Sequence, residues 1–529
     1  MVIDGDSALG IEGRANAALE YVLDWGKKNK LQFAPHKTNA MVITNRLKFD
    51  TPRMNMDGKQ IGMTEEMKIL GLTIDHKLTF NSHVTDVCKK SLGMYKQLAR
   101  AAKTEWGLHP EVIKTIYTAV VEPVMMYAAS VWAPATKKRG VRKKLDAVQR
   151  VFCQKICKAH RTVSLNSALT LAGILPLDLR IQEAAALYEA KRGVPQPILA
   201  DREVEKRAAY TKTPHPAEQI ELYFTRLENC EQVEEKSEHP VQIYTDGSKI
   251  EGKVGASLSF WDRNAEIKSI KLSLPAYCTV YQAELLAINR ATKEVLKNPA
   301  TDFGIYSDSR SSLECIINYN SLHPLAVEIR ENIKMAQKLN KTVALYWVKA
   351  HTGLERNERA DRIAKEAALG SKRKAEYDFC PLSFIKKQIR SRTLDTWEER
   401  YQQGETAKVT KIFLPHVVSA YKVIRKIETS SLTTQIMTGH GGFSEYLNRF
   451  KCKESPACIC EPSKTETVTH LILECPVNGP ERYDFENNID LELKLENIPL
   501  ILSEHTKIFL EYCKKVAKKA IKRNENNIS

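Results

Sequence analysis

At Val241 the apolar pattern of this chain changes period, and the stretch from there to residue 370 restricts the fold more than any other. VQIYTD, VGASLSFW and AEIKSIKLSL read as three consecutive strands. VYQAELLAINRATKEVL then reads as a helix, FGIYSD as a strand, SSLECIIN and AVEIRENIKMAQKL as helices, VALYWVKA as a strand and NERADRIAKEAA as a closing helix. An antiparallel start followed by strand-helix alternation predicts a five-stranded mixed α/β sheet covered by helices.

Four acidic residues fall at chemically useful points of that pattern. Asp246 and Asp308 each end a strand pattern, Glu284 lies early in a helix, and Asp361 lies early in the last helix. Open α/β sheets build their sites at strand ends and adjoining helices, so the four converge on one edge. Such a cluster repels itself unless divalent cations sit among the carboxylates, and those cations activate water beside a phosphodiester. The expected chemistry is that of a metal-dependent nuclease, although any one of these acids taken alone reads as a helix cap or turn residue.

Their order and neighbours sharpen the reading. With His351-Thr352-Gly353 upstream of Asn357-Glu358 and Ala360-Asp361, residues 239–370 resemble the type 1 ribonuclease H family. The resemblance implies two Mg²⁺ ions, with Mn²⁺ able to substitute, held by Asp246, Glu284, Asp308 and Asp361. It makes His351 an aid to proton transfer or product release, and matches Gln282 and Asn357 to substrate contacts. Tyr346 and Trp347 offer stacking surfaces for nucleic acid, but strand aromatics are more often core. SSLECIINYNSLHPLAVEIR leaves no room for the extra basic helix of some family members, so hybrid affinity is expected to depend on flanking basic regions.

Those flanks are mainly helical. Residues 1–75 combine the helical pattern ANAALEYVLDWGKK with strand candidates NAMVITN and KILGLTID, and 76–195 carry helical patterns from HVTDVCKKSLGMYKQLARAA to LRIQEAAALYEAKRG. Charge and proline replace apolar periodicity at 196–238, which reads as a linker. LGLTIDHKLTFNSHV, YTAVVEPVMMYAASVWAP and LDAVQRVFCQKICKAHRTVSLNSALTLAGILPLDLRIQEAA resemble the part after the palm in non-LTR (LINE-type, I-like) retrotransposon polyproteins. This implies a palm remnant at 1–75 and a thumb-like region at 76–195. No aromatic-Ala-Asp-Asp turn occurs in the sequence, so polymerisation by this chain alone is not expected. The resemblance places its start just after that turn, with Asp4 and Asp6 as turn residues.

Beyond a helical region at 371–440, SPACICEPSKTETVTHLILECP in the segment 441–480 offers Cys458, Cys460, His470 and Cys475, the donor set of a closed structural zinc site. Cys452 is an alternative ligand, buried free thiols are the alternative reading, and Glu461 stands where a turn glycine is expected. His440 reads as a surface-loop residue, while Cys153 and Cys157 read as core. A basic helical tail fills 481–529.

The excess of 80 Lys and Arg over 64 Asp and Glu gives a net charge of +16, which suits a polyanionic partner such as nucleic acid. The positive runs KKNK, KKRGVRKK, GSKRK and KKVAKKAIKR are spread along the chain. Twelve cysteines, mostly isolated, fit a reducing interior, and no secretory signal or membrane span is evident. The expected function is cleavage of the RNA strand of RNA-DNA hybrids. The alternative is a nucleic-acid-binding remnant without catalysis.

Overall fold

The computed structural model describes all residues except 102–107, 196, 198–201, 237–238, 264, 371–373 and 527–529, so the GSKRK run lies largely outside the described residues. The chain divides into two compact units, Ala186–Ser391 and Met1–Ala185 with Arg392–Ser529.

The Ala186–Ser391 unit is built on one sheet. Its elements are β1 (Phe224–Leu227), α1 (Cys230–Lys236), β2 (Val241–Ile250), β3 (Lys253–Asp262), β4 (Ala265–Leu274), α2 (Val280–Lys297), β5 (Asp302–Ser307), α3 (Arg310–Ile317), α4 (Pro324–Lys338), β6 (Thr342–Val348) and α5 (Glu355–Leu369). Strand order is β4-β3-β2-β5-β6-β1. β2, β3 and β4 are antiparallel, while β5, β6 and β1 continue in parallel. The central strands are buried on both faces: Val241, Ile243, Phe303 and Ile305 pack with α2 and α4 residues such as Leu285, Ile288 and Ile329 in one core.

The sheet therefore has six strands where five were expected. The sixth, FTRL, lies in the 196–238 segment read as a linker, and four residues in a polar context are too few to display a period. Residues 371–391, grouped by sequence with the helical region to 440, also belong to this unit.

Asp246 does not end its strand, because β2 continues to Ile250. On β2, β5 and β6, Tyr244, Tyr306 and Tyr346 stand in register and stack at 4.6 and 4.7 Å between centroids. The Tyr346 hydroxyl bonds His239 Nε2 at 2.8 Å. This buried ladder uses the Tyr346 face for packing, as strand aromatics usually do.

The other unit is mainly helical. Amphipathic helices at Asn81–Ala101, Arg139–Ile156 and Thr506–Asn526 bury Val84, Leu145, Phe152, Phe509 and Val516 in a shared core with Tyr117 and Trp132. Cys153 and Cys157 are buried there, as their spacing suggested. The region HPEVIKTIYTAVVEPVMMYAASVWA breaks twice: a π turn spans Tyr117–Val121 ahead of Pro123, which lacks an N–H, and Ala128 turns left-handed at φ +51°.

Neither early strand candidate survives whole. KILGLTID lies in a hairpin, Glu66–Ile69 against Leu72–Asp75, turning where Gly71 takes φ +86°. Of NAMVITN only Asn39–Ala40 pairs, with Gly62–Met63. His440 lies in a loop but is half-buried and held there: its Nδ1 bonds Thr162 Oγ1 at 3.0 Å and its ring packs on Tyr446. Burial first, then nearby Arg449, His160 and Arg150, push its pKa down to about 4.

Candidate active site and metal centres

Asp246 projects from the middle of β2, Glu284 from the first turns of α2, and Asp308 from the residue after β5. One oxygen from each lies within 4.8 Å of the others. Close approach of α2 to β2 makes this convergence possible. A Cβ at Gly247 would stand 2.6 Å from the Glu284 backbone nitrogen, so only glycine lets the helix settle there.

The cluster is electrostatically incomplete. Asp246 Oδ2 and Glu284 Oε2 are buried without a hydrogen-bond partner among the described groups. Burial, then Asp308 and Asp361, push the Asp246 carboxyl up to about 7. Burial, then Asp246 and Asp308, hold Glu284 well above the usual carboxylate range. For Asp308 burial raises the pKa most, the Asn357 hydrogen bond opposes it, and Asp361 raises it further. A divalent cation relieves all three effects at once.

Asp361 is brought near but not into the triad. It sits half-buried on α5, and Lys365 one turn later holds its Oδ2 at 2.6 Å. His351 occupies the exposed β6–α5 loop with φ +56°, close enough that its charge favours ionised Asp308.

Both residues matched to substrate contacts have partners inside the fold. Asn357 is buried and donates from Nδ2 to Asp308 Oδ2 at 3.3 Å. Gln282 is 1% exposed. Its Oε1 accepts from the Thr279 backbone at 3.0 Å while its Nε2 donates to Glu205 at 2.8 Å and to the Phe379 carbonyl at 3.3 Å. Every polar atom of Gln282 is thus occupied inside the fold, as the N3 partner of a capping box on α2. Trp347, read from sequence as a stacking or core aromatic, donates from Nε1 to the Asp308 carbonyl at 2.9 Å, a bond to which the sequence offers no cue.

In the helical unit, Cys458, Cys460, His470 and Cys475 each offer a donor atom within 4.8 Å of the other three. Cys458 lies on the hairpin Ala457–Cys458/Glu461–Thr465, and His470 begins a π turn that delivers Cys475. The sulfurs of Cys458 and Cys475 are 3.8 Å apart, and Cys460 Sγ is 3.2 Å from His470 Nε2. Glu474 Oε2, 3.3 Å from His470 Nδ1, leaves Nε2 facing the thiols. Cys452 is exposed, stays outside the group and bonds the Phe450 carbonyl. Glu461 is not among the left-handed residues, so this hairpin needs no glycine there.

The RNase H family model matches residues 238–369. A ribonuclease H of Campylobacter jejuni is 30% identical over 137 residues, covering 24% of this chain and 91% of that protein. A Pol polyprotein from a type-1 retrotransposable element R1 of Nasonia vitripennis is 25% identical over 220 residues, covering 40% of this chain and 65% of its own length. A protein of the R1 element of Drosophila melanogaster is 26% identical over 198 residues, 37% of this chain and 19% of that protein. These retrotransposon relatives are thus matched over less than two thirds of their length.

Proposed function

Because this chain belongs to the ribonuclease H family through residues 238–369, and has R1 retrotransposon Pol polyproteins as relatives, we propose that it hydrolyses the RNA strand of RNA-DNA hybrids. The observation carrying this reading is the convergence of Asp246, Glu284 and Asp308 within 4.8 Å, with two of their buried oxygens unpartnered among the described residues. That donor set fits hard divalent cations, which bind through oxygen.

Asp246, Glu284 and Asp308 would hold Mg²⁺, with Asp361 as a fourth carboxylate at the rim. When bound, the ions supply charge neutralisation at the phosphodiester and a more acidic attacking water. Asn357 keeps one Asp308 oxygen fixed in orientation, and Trp347 anchors the backbone beside it. His351, exposed next to Asp308, hands a proton to the leaving O3′, and the products are a 3′-hydroxyl and a 5′-phosphate. The Cys458, Cys460, His470 and Cys475 set fits structural Zn²⁺, since three thiols and one imidazole leave no open position.

A second reading has one observation in its favour: Asp361 is engaged by Lys365, which suits a nucleic-acid-binding remnant with an idle site. Incubation of the full chain with a labelled hybrid duplex, in Mg²⁺ or EDTA, separates the two. Metal-dependent cutting that disappears in Asp308→Asn supports hydrolysis; binding without cutting supports the remnant. Polymerisation is not proposed, since the sequence has no aromatic-Ala-Asp-Asp turn. Among the described residues, no single helix is long and apolar enough to cross a membrane.

A further inference from the structure

Two short segments outside the family match meet at the start of α2. Glu203–Val204 pairs in parallel with Phe379–Cys380, and the Glu205 backbone N–H donates to the Cys380 carbonyl at 2.9 Å. Val204, Cys380, Ile385 and Ile389 share a small core with Tyr277, two residues before the Thr279 cap. This clamp buries a charge. Glu205 Oε1 accepts from Gln282 Nε2 at 2.8 Å and from the Tyr377 hydroxyl at 2.6 Å, and His323 Nε2 lies at 3.3 Å.

Burial pushes the Glu205 carboxyl up, but the bonds from His323, Tyr377 and Gln282 outweigh it and leave the group below its ordinary value. It therefore stays ionised near neutral pH, and each bond to it is charge-assisted. Gln282 is also the capping residue that fixes the first turn of α2, two positions before Glu284. Any loosening of that turn moves Glu284 relative to Asp246 and Asp308.

We infer that Glu205, through Gln282, is a positioning residue for Glu284, so that segments flanking the family domain set the geometry of its metal site. The inference rests on the proposed function only for the identity of the ligand. Removing Glu205 takes the acceptor from the Tyr377 hydroxyl and His323 and leaves Gln282 Nε2 only the longer bond to the Phe379 carbonyl, and loss of such supporting contacts typically weakens metal binding about 10- to 100-fold.

The test uses the full chain with Glu205→Ala, Gln282→Ala and the double variant, in two measurements. In metal-free protein, amide hydrogen exchange over residues 280–286 should speed up about tenfold in each single variant, with β5 unchanged. Mg²⁺ titration by calorimetry should show each single variant about tenfold weaker than wild type, and the double variant no weaker than the singles. Unchanged exchange, unchanged Mg²⁺ affinity, or additive losses in the double variant would overturn the inference. If Glu205→Ala does not fold, Gln282→Ala decides: loss supports it and wild-type behaviour overturns it. Wild-type chain that binds no Mg²⁺ refutes the proposed function instead, and exchange in the metal-free variants still decides the positioning role.

Discussion

Asp246→Asn should make the metal-free protein more stable while destroying its metal site. Burial, then Asp308 and Asp361, push the Asp246 carboxyl from 3.8 up to about 7. A raised folded-state pKa adds stability that is complete below the unfolded value and disappears as pH rises through the folded one. Between about pH 4 and pH 7 the wild-type chain therefore loses stability, up to about 4 kcal/mol at about 1.4 kcal/mol per pH unit. Because Asp246 titrates together with neighbouring carboxylates, about half of that, about 2 kcal/mol, is assigned to Asp246 alone. For a unit of this size that corresponds to about 4–8 °C in Tm.

The assay is thermal unfolding in EDTA at pH 4 and pH 8, repeated at pH 8 with Mg²⁺. Asp246→Asn should match wild type at pH 4 and exceed it by about 4–8 °C at pH 8. Mg²⁺ should raise the wild-type Tm by binding the folded state and leave the variant unmoved. A variant no more stable than wild type at pH 8 in EDTA, or one that Mg²⁺ still stabilises equally, refutes the reasoning that the cluster is strained by unneutralised charge.

Two further outcomes follow from close contacts. Gly247→Ala places a methyl 2.6 Å from the Glu284 nitrogen; it should cost about 1–3 kcal/mol in chemical denaturation and weaken Mg²⁺ binding, because α2 must move away. Cys475→Ser should lower the zinc content of the purified chain, measured by atomic emission, from about one ion towards none, whereas Cys452→Ser should leave it unchanged.

The core sheet was legible because long strands such as VGASLSFW and a capped amphipathic helix such as VYQAELLAINRATKEVL carry their periods openly. The three clustered carboxylates were legible through their distinctive neighbours, although Asp246 lies within β2 and not at its end. FTRL was not, since a four-residue edge strand is defined by its partner β6 and has little pattern of its own. Gln282 and Asn357 were matched in sequence to substrate contacts; only packing shows their bonds to Glu205 and Asp308. The Lys365 partner of Asp361 stands one helical turn away and could be foreseen by spacing. His440 could not, because its partner Thr162 is 278 residues distant in the chain.

The central claim is that Asp246, Glu284 and Asp308 form a working metal site for cutting RNA opposite DNA. Its most direct test is cleavage of an end-labelled RNA-DNA hybrid by the full chain, with duplex DNA as control and Asp308→Asn in parallel. The account predicts Mg²⁺-dependent cuts in the RNA strand alone, leaving 3′-hydroxyl ends, with Asp308→Asn reduced to the EDTA background. Equal cutting by wild type and Asp308→Asn, or cutting that persists in EDTA, would contradict it.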